Sequence, residues 1–253
     1  MTLPARSLAG PAPRPIAELE AVSRERGRTG DGFRLEIERF RIAPGERVAI
    51  VGPSGSGKST FLDLLALSLA PSSAGLFRGP GGVDVAALWR ARAGKSLARL
   101  RREAIGYVLQ SGALLPFLSA VRNIELPLRL RGATGAEDST RVQALVRRLA
   151  LGTVAQRMPS ELSFGQRQRV AVARALAHRP LLVLADEPTA SLDAGAATAV
   201  MALLTELAQE HGSAVLLVSH DEQLATRHGF ATVLCRPVGS VAGRARSVIR
   251  RDP

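Results

Sequence analysis

The segment Gly52-Pro53-Ser54-Gly55-Ser56-Gly57-Lys58-Ser59-Thr60 concentrates the groups best suited to holding a polyphosphate. Residues 52–59 fit the spacing G-x-x-x-x-G-K-[ST] without a gap. Glycines let successive backbone N–H groups turn inward and form a nest for an anion. A helix that follows adds the positive end of its dipole. Lys58 adds a flexible point charge that reaches β- and γ-phosphates, and the Ser59 hydroxyl has the length to ligate Mg²⁺. Lys58 and Lys95 are the only lysines among 34 basic residues, so an ammonium at position 58 marks a place where a planar guanidinium does not fit. A second group of chemistry-bearing residues closes the apolar run 181–185 with two adjacent carboxylates, Asp186 and Glu187. The carboxyl ends of strands in an open α/β sheet carry its ligands. There Asp186 is placed to hold Mg²⁺ through a water, and Glu187 to polarise an attacking water.

These groups need a scaffold, and the apolar pattern supplies one. Phe33, Leu35 and Ile37 alternate with polar residues, as do Phe40 and Ile42, which predicts two short half-buried strands. Pro44 and Gly45 mark a turn. Residues 48–51 read as a strand buried on both faces, and 61–69 as an apolar helix, so the Gly-rich loop lies between strand and helix. Further along, an Arg-rich helical segment is expected near 89–102, strands at 105–109, 181–184 and 214–218, and helices at 170–177 and 196–209. The expected fold class is therefore α/β with a mostly parallel sheet. Residues 1–31 read as a loosely ordered lead-in, 32–110 and 166–253 as the core, and 111–165 as a helical insertion broken by Pro116, Pro127, Gly132 and Gly135.

Composition narrows the function classes. The chain has 253 residues, a net charge of +12 and 46% apolar residues, which excludes a wholly disordered polymer. No apolar run reaches the ~18 residues of a membrane span. Residues 1–15 lack the apolar stretch of a secretory signal. The single cysteine, Cys235, leaves no internal disulfide framework or cysteine zinc cluster, as expected of a reducing compartment. Basic residues gather at 78–103 and 236–252. Such clusters fit an anionic membrane face, nucleic acid or a solvated surface. Nine aromatics leave little for base stacking, so no nucleic acid is expected.

Three more segments carry a resemblance. Leu162-Ser163-Phe164-Gly165-Gln166 is similar to the LSGGQ signature of ATP-binding-cassette (ABC) ATPases; residues 186–193 resemble their Walker B and D-loop; Ser219-His220-Asp221 resembles their switch histidine. The resemblance runs over about residues 33–235. It implies a P-loop NTPase core with an N-terminal antiparallel β subdomain and an inserted α-helical subdomain. It also implies ATP and Mg²⁺ as cofactors and a homodimer closing head-to-tail on two ATPs. Ser163, Gly165 and Gln166 would then cap the γ-phosphate held by the second copy, since a helix start favours an anion. Gln110 matches the Q-loop glutamine, which ligates Mg²⁺ beside Ser59 and Asp186 and senses a transmembrane partner. His220 would contact the γ-phosphate and orient Glu187, completing a catalytic set with Lys58 and Gln110. Asp193 fits both the D-loop and a helix N-cap.

Two departures stand out. Phe164 occupies a signature position that is usually glycine. Arg24-Glu25-Arg26 occupies the place where the family stacks adenine on an aromatic residue, and the Arg26 guanidinium plane offers a substitute. Residues 105–128 resemble the subfamily of lipoprotein release, macrolide efflux and cell-division signalling (LolD/MacB/FtsE-like). That implies a peripheral subunit on the cytoplasmic face of the cell membrane, docked under a separate permease through a groove near 114–118. A transport motor and a regulatory ATPase that signals through a permease-like partner both fit this reading. The interval from Lys58 to Ser163 carries no sustained heptads, which sets aside the coiled-coil chromosome ATPases.

Overall fold

The computed structural model describes residues 14–27, 32–132, 135–241 and 244–252. In chain order its elements begin with β1 (Ala17–Arg26), β2 (Phe33–Ile42), β3 (Arg47–Val51), α1 (Lys58–Leu65) and β4 (Ser73–Arg78). Next come α2 (Val85–Arg90), α3 (Gly94–Ala104), β5 (Ile105–Val108), α4 (Ala120–Leu130), α5 (Ala136–Arg148) and α6 (Phe164–Leu176). The chain continues through β6 (Leu182–Asp186), α7 (Ala194–Glu210), β7 (Ala214–Val218), α8 (Glu222–Arg227), β8 (Ala231–Val241) and β9 (Arg244–Arg250). One nine-stranded sheet runs β4-β1-β2-β9-β8-β3-β7-β6-β5. Strands β8, β3, β7, β6 and β5 are mutually parallel; β4, β1 and β2 are antiparallel.

The parallel half follows from its apolar runs. Val48 and Ile50 face one side of β3, where they join Phe61, Leu62 and Leu216 under α1. Ala49 and Val51 face the other, where they join Val170, Val183 and Leu204 under α6 and α7. A strand wedged between two such layers has no polar face, hence the continuous hydrophobic reading.

The lead-in expectation for 1–31 needs correction, because residues 17–26 form β1. Residues 1–13 and 28–31 lie outside the described structure. A local kink hid the strand. Ala21 has φ +50°, and inward-facing positions pass from Ala17 and Leu19 to Val22 and Ser23, which breaks a period of two. At the same level β2 shifts register against β9 between Ile37 and Arg39. Phe33–Ile42 is consequently one bulged strand rather than two short ones. The Arg-rich segment likewise splits into α2 and α3, with Arg92 at φ +51° between them.

The basic stretch 236–252 is a β-hairpin inserted between β2 and β3. Its charge is answered within the sheet. Arg244 pairs with Glu25 at 2.5 Å, Arg246 with Glu36 at 2.6 Å, and Arg251 with Glu46. These contacts make that cluster a paired, solvated face rather than a free polycation.

His178, just beyond α6, is buried, and its Nε2 donates to the Ile105 carbonyl at 3.2 Å. Burial, reinforced by the Arg131 guanidinium, pushes its pKa down to about 4. A depressed histidine contributes stability that is complete above its unfolded pKa and is lost as pH falls through the folded value. Between pH 7 and pH 5 the chain should lose about 2 kcal/mol more stability than a His178→Gln variant. Thermal or denaturant unfolding at the two pH values measures the difference, and equal losses would remove His178 from the account.

Candidate functional site

The loop between β3 and α1 is shaped by its glycines. Gly57 has φ +100° and caps α1 without a side-chain hydrogen bond, so the first N–H groups of that helix stay available to an anion. A Cβ on Gly57 would lie 2.6 Å from the Phe33 ring, and one on Gly52 would lie 2.5 Å from the Cys235 carbonyl oxygen. Phe33 and β8 therefore wall the loop closely enough to forbid side chains there. Cys235 Sγ donates to the Ser56 carbonyl at 3.1 Å from within the core. Nothing in the sequence pattern pointed to Cys235 as a support of this loop.

Lys58 Nζ donates to the Gly52 and Pro53 carbonyls at 2.9 and 2.8 Å. Burial lowers its pKa, while Glu187, Cys235 and Asp186 pull it back up. Phosphate oxygens would replace the two carbonyls with charged acceptors, a stronger pairing for the same ammonium.

Ser59 Oγ donates to Asp186 Oδ1 at 3.3 Å. The Asp186 carboxyl is held above its ordinary range, chiefly by burial, with Glu187 and Asp63 adding like charge. A small hard cation beside the hydroxyl and the carboxylate would relieve both effects. Among the described residues no cluster of three histidine, cysteine or acidic side chains could hold a metal alone. The donor set fits an ion that completes its shell with water and phosphate oxygen, as Mg²⁺ does.

Glu187 follows Asp186 at the end of β6 and takes a left-handed backbone, φ +45°, with its N–H bonded to the Val218 carbonyl at 3.0 Å. That turn swings its carboxylate away from Asp186 and toward the end of β7. There His220 Nε2 donates to Glu187 Oε1 at 2.7 Å. Strain in a non-glycine residue persists only where the surroundings over-determine it, and it clusters at working sites.

The other expected residues lie further out. Gln110 is exposed just past β5. Ser163 caps α6: its Oγ accepts from Gln166 N at 3.2 Å, and Gln166 Oε1 accepts from Ser163 N at 2.9 Å. This reciprocal box leaves the Phe164 and Gly165 N–H groups at the helix start for another acceptor. Phe164 is half-buried, with the Arg167 guanidinium 5.5 Å from its ring centre. Asp193 caps α7 through Ala196 N at 2.8 Å. Arg26 is tied to Asp63 of α1 at 3.1 Å.

So the structure gathers residues 52–60, Asp186, Glu187 and His220 at the carboxyl ends of β3, β6 and β7. Ser163, Gly165 and Gln166 stand apart from this cluster. Their helix packs against α4, α7 and β5, and a Cβ on Gly165 would lie 3.7 Å from Leu192 Cδ2, in the turn between Glu187 and α7.

Comparison with known proteins identifies the family. Residues 35–190 match the ABC transporter family. The lipoprotein-releasing system ATP-binding protein LolD of Hydrogenovibrio crunogenus is 45% identical over 74% of this chain and 79% of its own length. The macrolide export ATP-binding/permease protein MacB of Marinobacter nauticus is 43% identical over 85% of this chain, and the match spans only 32% of that longer protein. Among solved structures, a dimeric post-hydrolysis ATP-binding cassette bound to ADP and Pi aligns with TM-score 0.74 and 33% identity. That alignment covers 90% of this chain and 96% of the cassette.

Proposed function

This chain belongs to the ABC transporter family, as an ATP-binding subunit of the LolD/MacB subfamily, and from that premise we propose that it is the ATP-hydrolysing motor of a transporter, closing head-to-tail as a homodimer on two ATPs and driving a separate permease. The observation that carries the catalytic part is the 2.7 Å contact of His220 with Glu187, next to the loop that presents Lys58 and Ser59. Lys58 and the backbone N–H groups of residues 54–60 bind the phosphates. Ser59, Asp186 and Gln110 would hold Mg²⁺, which supplies charge neutralisation at the β- and γ-phosphates. Glu187 takes hydrogen-bonded hold of the attacking water, and His220 fixes the carboxylate's direction. Most of the acceleration comes from position and electrostatics. Among the described residues the Ser163 hydroxyl bonds only Gln166 of its own helix and not the phosphate loop, which supports a site completed by a second copy. Asp193 would lie at the same junction.

Helical residues 111–165 form the subdomain that receives the permease in this reading. Asn123, fully buried, bonds the Leu115 backbone and the carbonyls of Leu118 and Ser119. The ledge so fixed carries Phe117 70% exposed. A large aromatic side chain on a rigid loop pays little entropy on docking and anchors well. A separate groove of about 420 Å³ opens between α3, the second half of α4, β5 and α6. Among the described residues no helix is long and apolar enough to cross a membrane, and we place the chain peripherally on the cytoplasmic face, beneath its permease.

Co-expression with a membrane protein encoded next to its gene tests the assignment. The two should co-purify and hydrolyse ATP in a Mg²⁺-dependent manner. Phe117→Ala should weaken that association about tenfold or more, and should leave hydrolysis by the isolated chain within about twofold of wild type. Association that survives the substitution intact would take Phe117 out of the interface.

A further inference from the structure

The segment that carries Gln110 is gripped along one face of the signature helix. Gln168 Nε2 donates to the Gln110 carbonyl. Arg174, two turns on, donates to the Gly112 carbonyl at 2.9 Å and to the Ala113 carbonyl at 2.8 Å. Between these two, a Cβ built on Gly112 would lie 3.5 Å from the Arg167 carbonyl oxygen and 3.8 Å from Ala171 Cβ, so loop and helix are in close contact. Residues 167/168, 171 and 174 recur at the three-to-four spacing of one helix face.

Both gripping side chains are costly where they sit. Gln168 is 1% exposed, and its Oε1 is buried without a partner among the described residues. Arg174 makes no ion pair among the described residues, and burial lowers its pKa. A guanidinium without a counter-charge is tolerated only where carbonyls converge on it. The loop is bent to provide them: Gly112 has φ +72°, and Ala113 follows in the left-handed region at φ +40°. An alanine resists that conformation, so the bend is held from outside rather than preferred locally.

We propose that Gln168 and Arg174 are positioning residues that fasten loop 110–113 to α6, so that the helix whose start caps the partner copy's ATP and the loop that presents Gln110 move as one body. The consequence for Gln110 rests on the reading of that residue as a Mg²⁺ ligand; the fastening itself does not. Through this latch, a shift of α6 on dimer closure would reset Gln110 in its own site, and a push on the loop would tilt the cap.

Hydrogen exchange on the full chain tests the latch directly. Arg174→Ala should speed amide exchange in residues 110–113 at least about tenfold, the loss of a charge-assisted pair, and should leave residues 52–66 unchanged. Arg174→Lys, which reaches one carbonyl, should fall between, and Gln168→Met should loosen the same segment. A second readout is the Mg²⁺ concentration that half-saturates binding of a fluorescent ATP analogue. It should rise about tenfold in Arg174→Ala, and Arg174→Ala should add nothing further in a Gln110→Ala background. Unchanged exchange at 110–113, or exchange that rises equally across the whole chain, overturns the latch. A Mg²⁺ midpoint unmoved by Gln110→Ala overturns the ligand reading instead, while the exchange result still decides the latch.

Discussion

Glu187→Gln should stop ATP turnover while leaving ATP bound. The backbone at 187 is set by the bond from its N–H to the Val218 carbonyl and by the left-handed turn, neither of which involves the side chain. An amide of the same shape therefore occupies the same place beside His220. It cannot accept a proton from water, and general-base catalysis of this kind contributes about 10²–10⁴-fold. The phosphate grip of Lys58 and the loop is untouched, so the variant should accumulate ATP and, with two ATPs trapped, a closed dimer. Phosphate release and gel filtration at saturating ATP measure the two halves. A rate equal to wild type would exclude Glu187 from the chemistry; a blocked rate with a persistent monomer would instead break the dimer reading.

The second large effect concerns binding. Lys58→Ala removes an ammonium that is buried at the foot of the loop and already pointed at its carbonyls. Each charge-assisted bond is worth about 1.5–3 kcal/mol, so nucleotide affinity should fall about 10–100-fold. Ser163→Arg should act differently. It breaks the capping box, a cost of about 1 kcal/mol, and sets a cation where the partner's γ-phosphate would dock. Each variant should be inactive alone. Mixed in equal amounts, they form heterodimers with one intact composite site, and hydrolysis should return to about a quarter of wild type for random pairing of two-fold related copies. Full affinity in Lys58→Ala would count against the anion nest. Mixtures that stay silent at every ratio would count against sites shared between copies.

How much of this was readable beforehand depends on the range of the contacts. The Gly-rich loop, its strand and its helix span nineteen residues, 47–65, and their shape follows from glycine backbone freedom, a buried apolar run and a helix start, all local properties. The same holds for Asp186 and Glu187 at the end of a buried strand. β1 was missed because the kink at Ala21 inverts the facing of its side chains halfway along, so a pattern that needs constant period failed. β8 and β9 were missed for a different reason. Their arginines look like a solvated tail until Glu25, Glu36 and Glu46, some two hundred residues earlier in the chain, are brought opposite them.

The sequence by itself determined the phosphate-binding loop and the two carboxylates that close β6, because each is built within one strand–loop unit. Only the tertiary structure decided that Cys235 and Phe33 wall that loop and that Arg174 grips the segment after Gln110. Those are pairings across 24 to 183 residues, and no local pattern encodes them: they exist once the sheet has chosen its strand order and set a half-buried guanidinium against a bent loop.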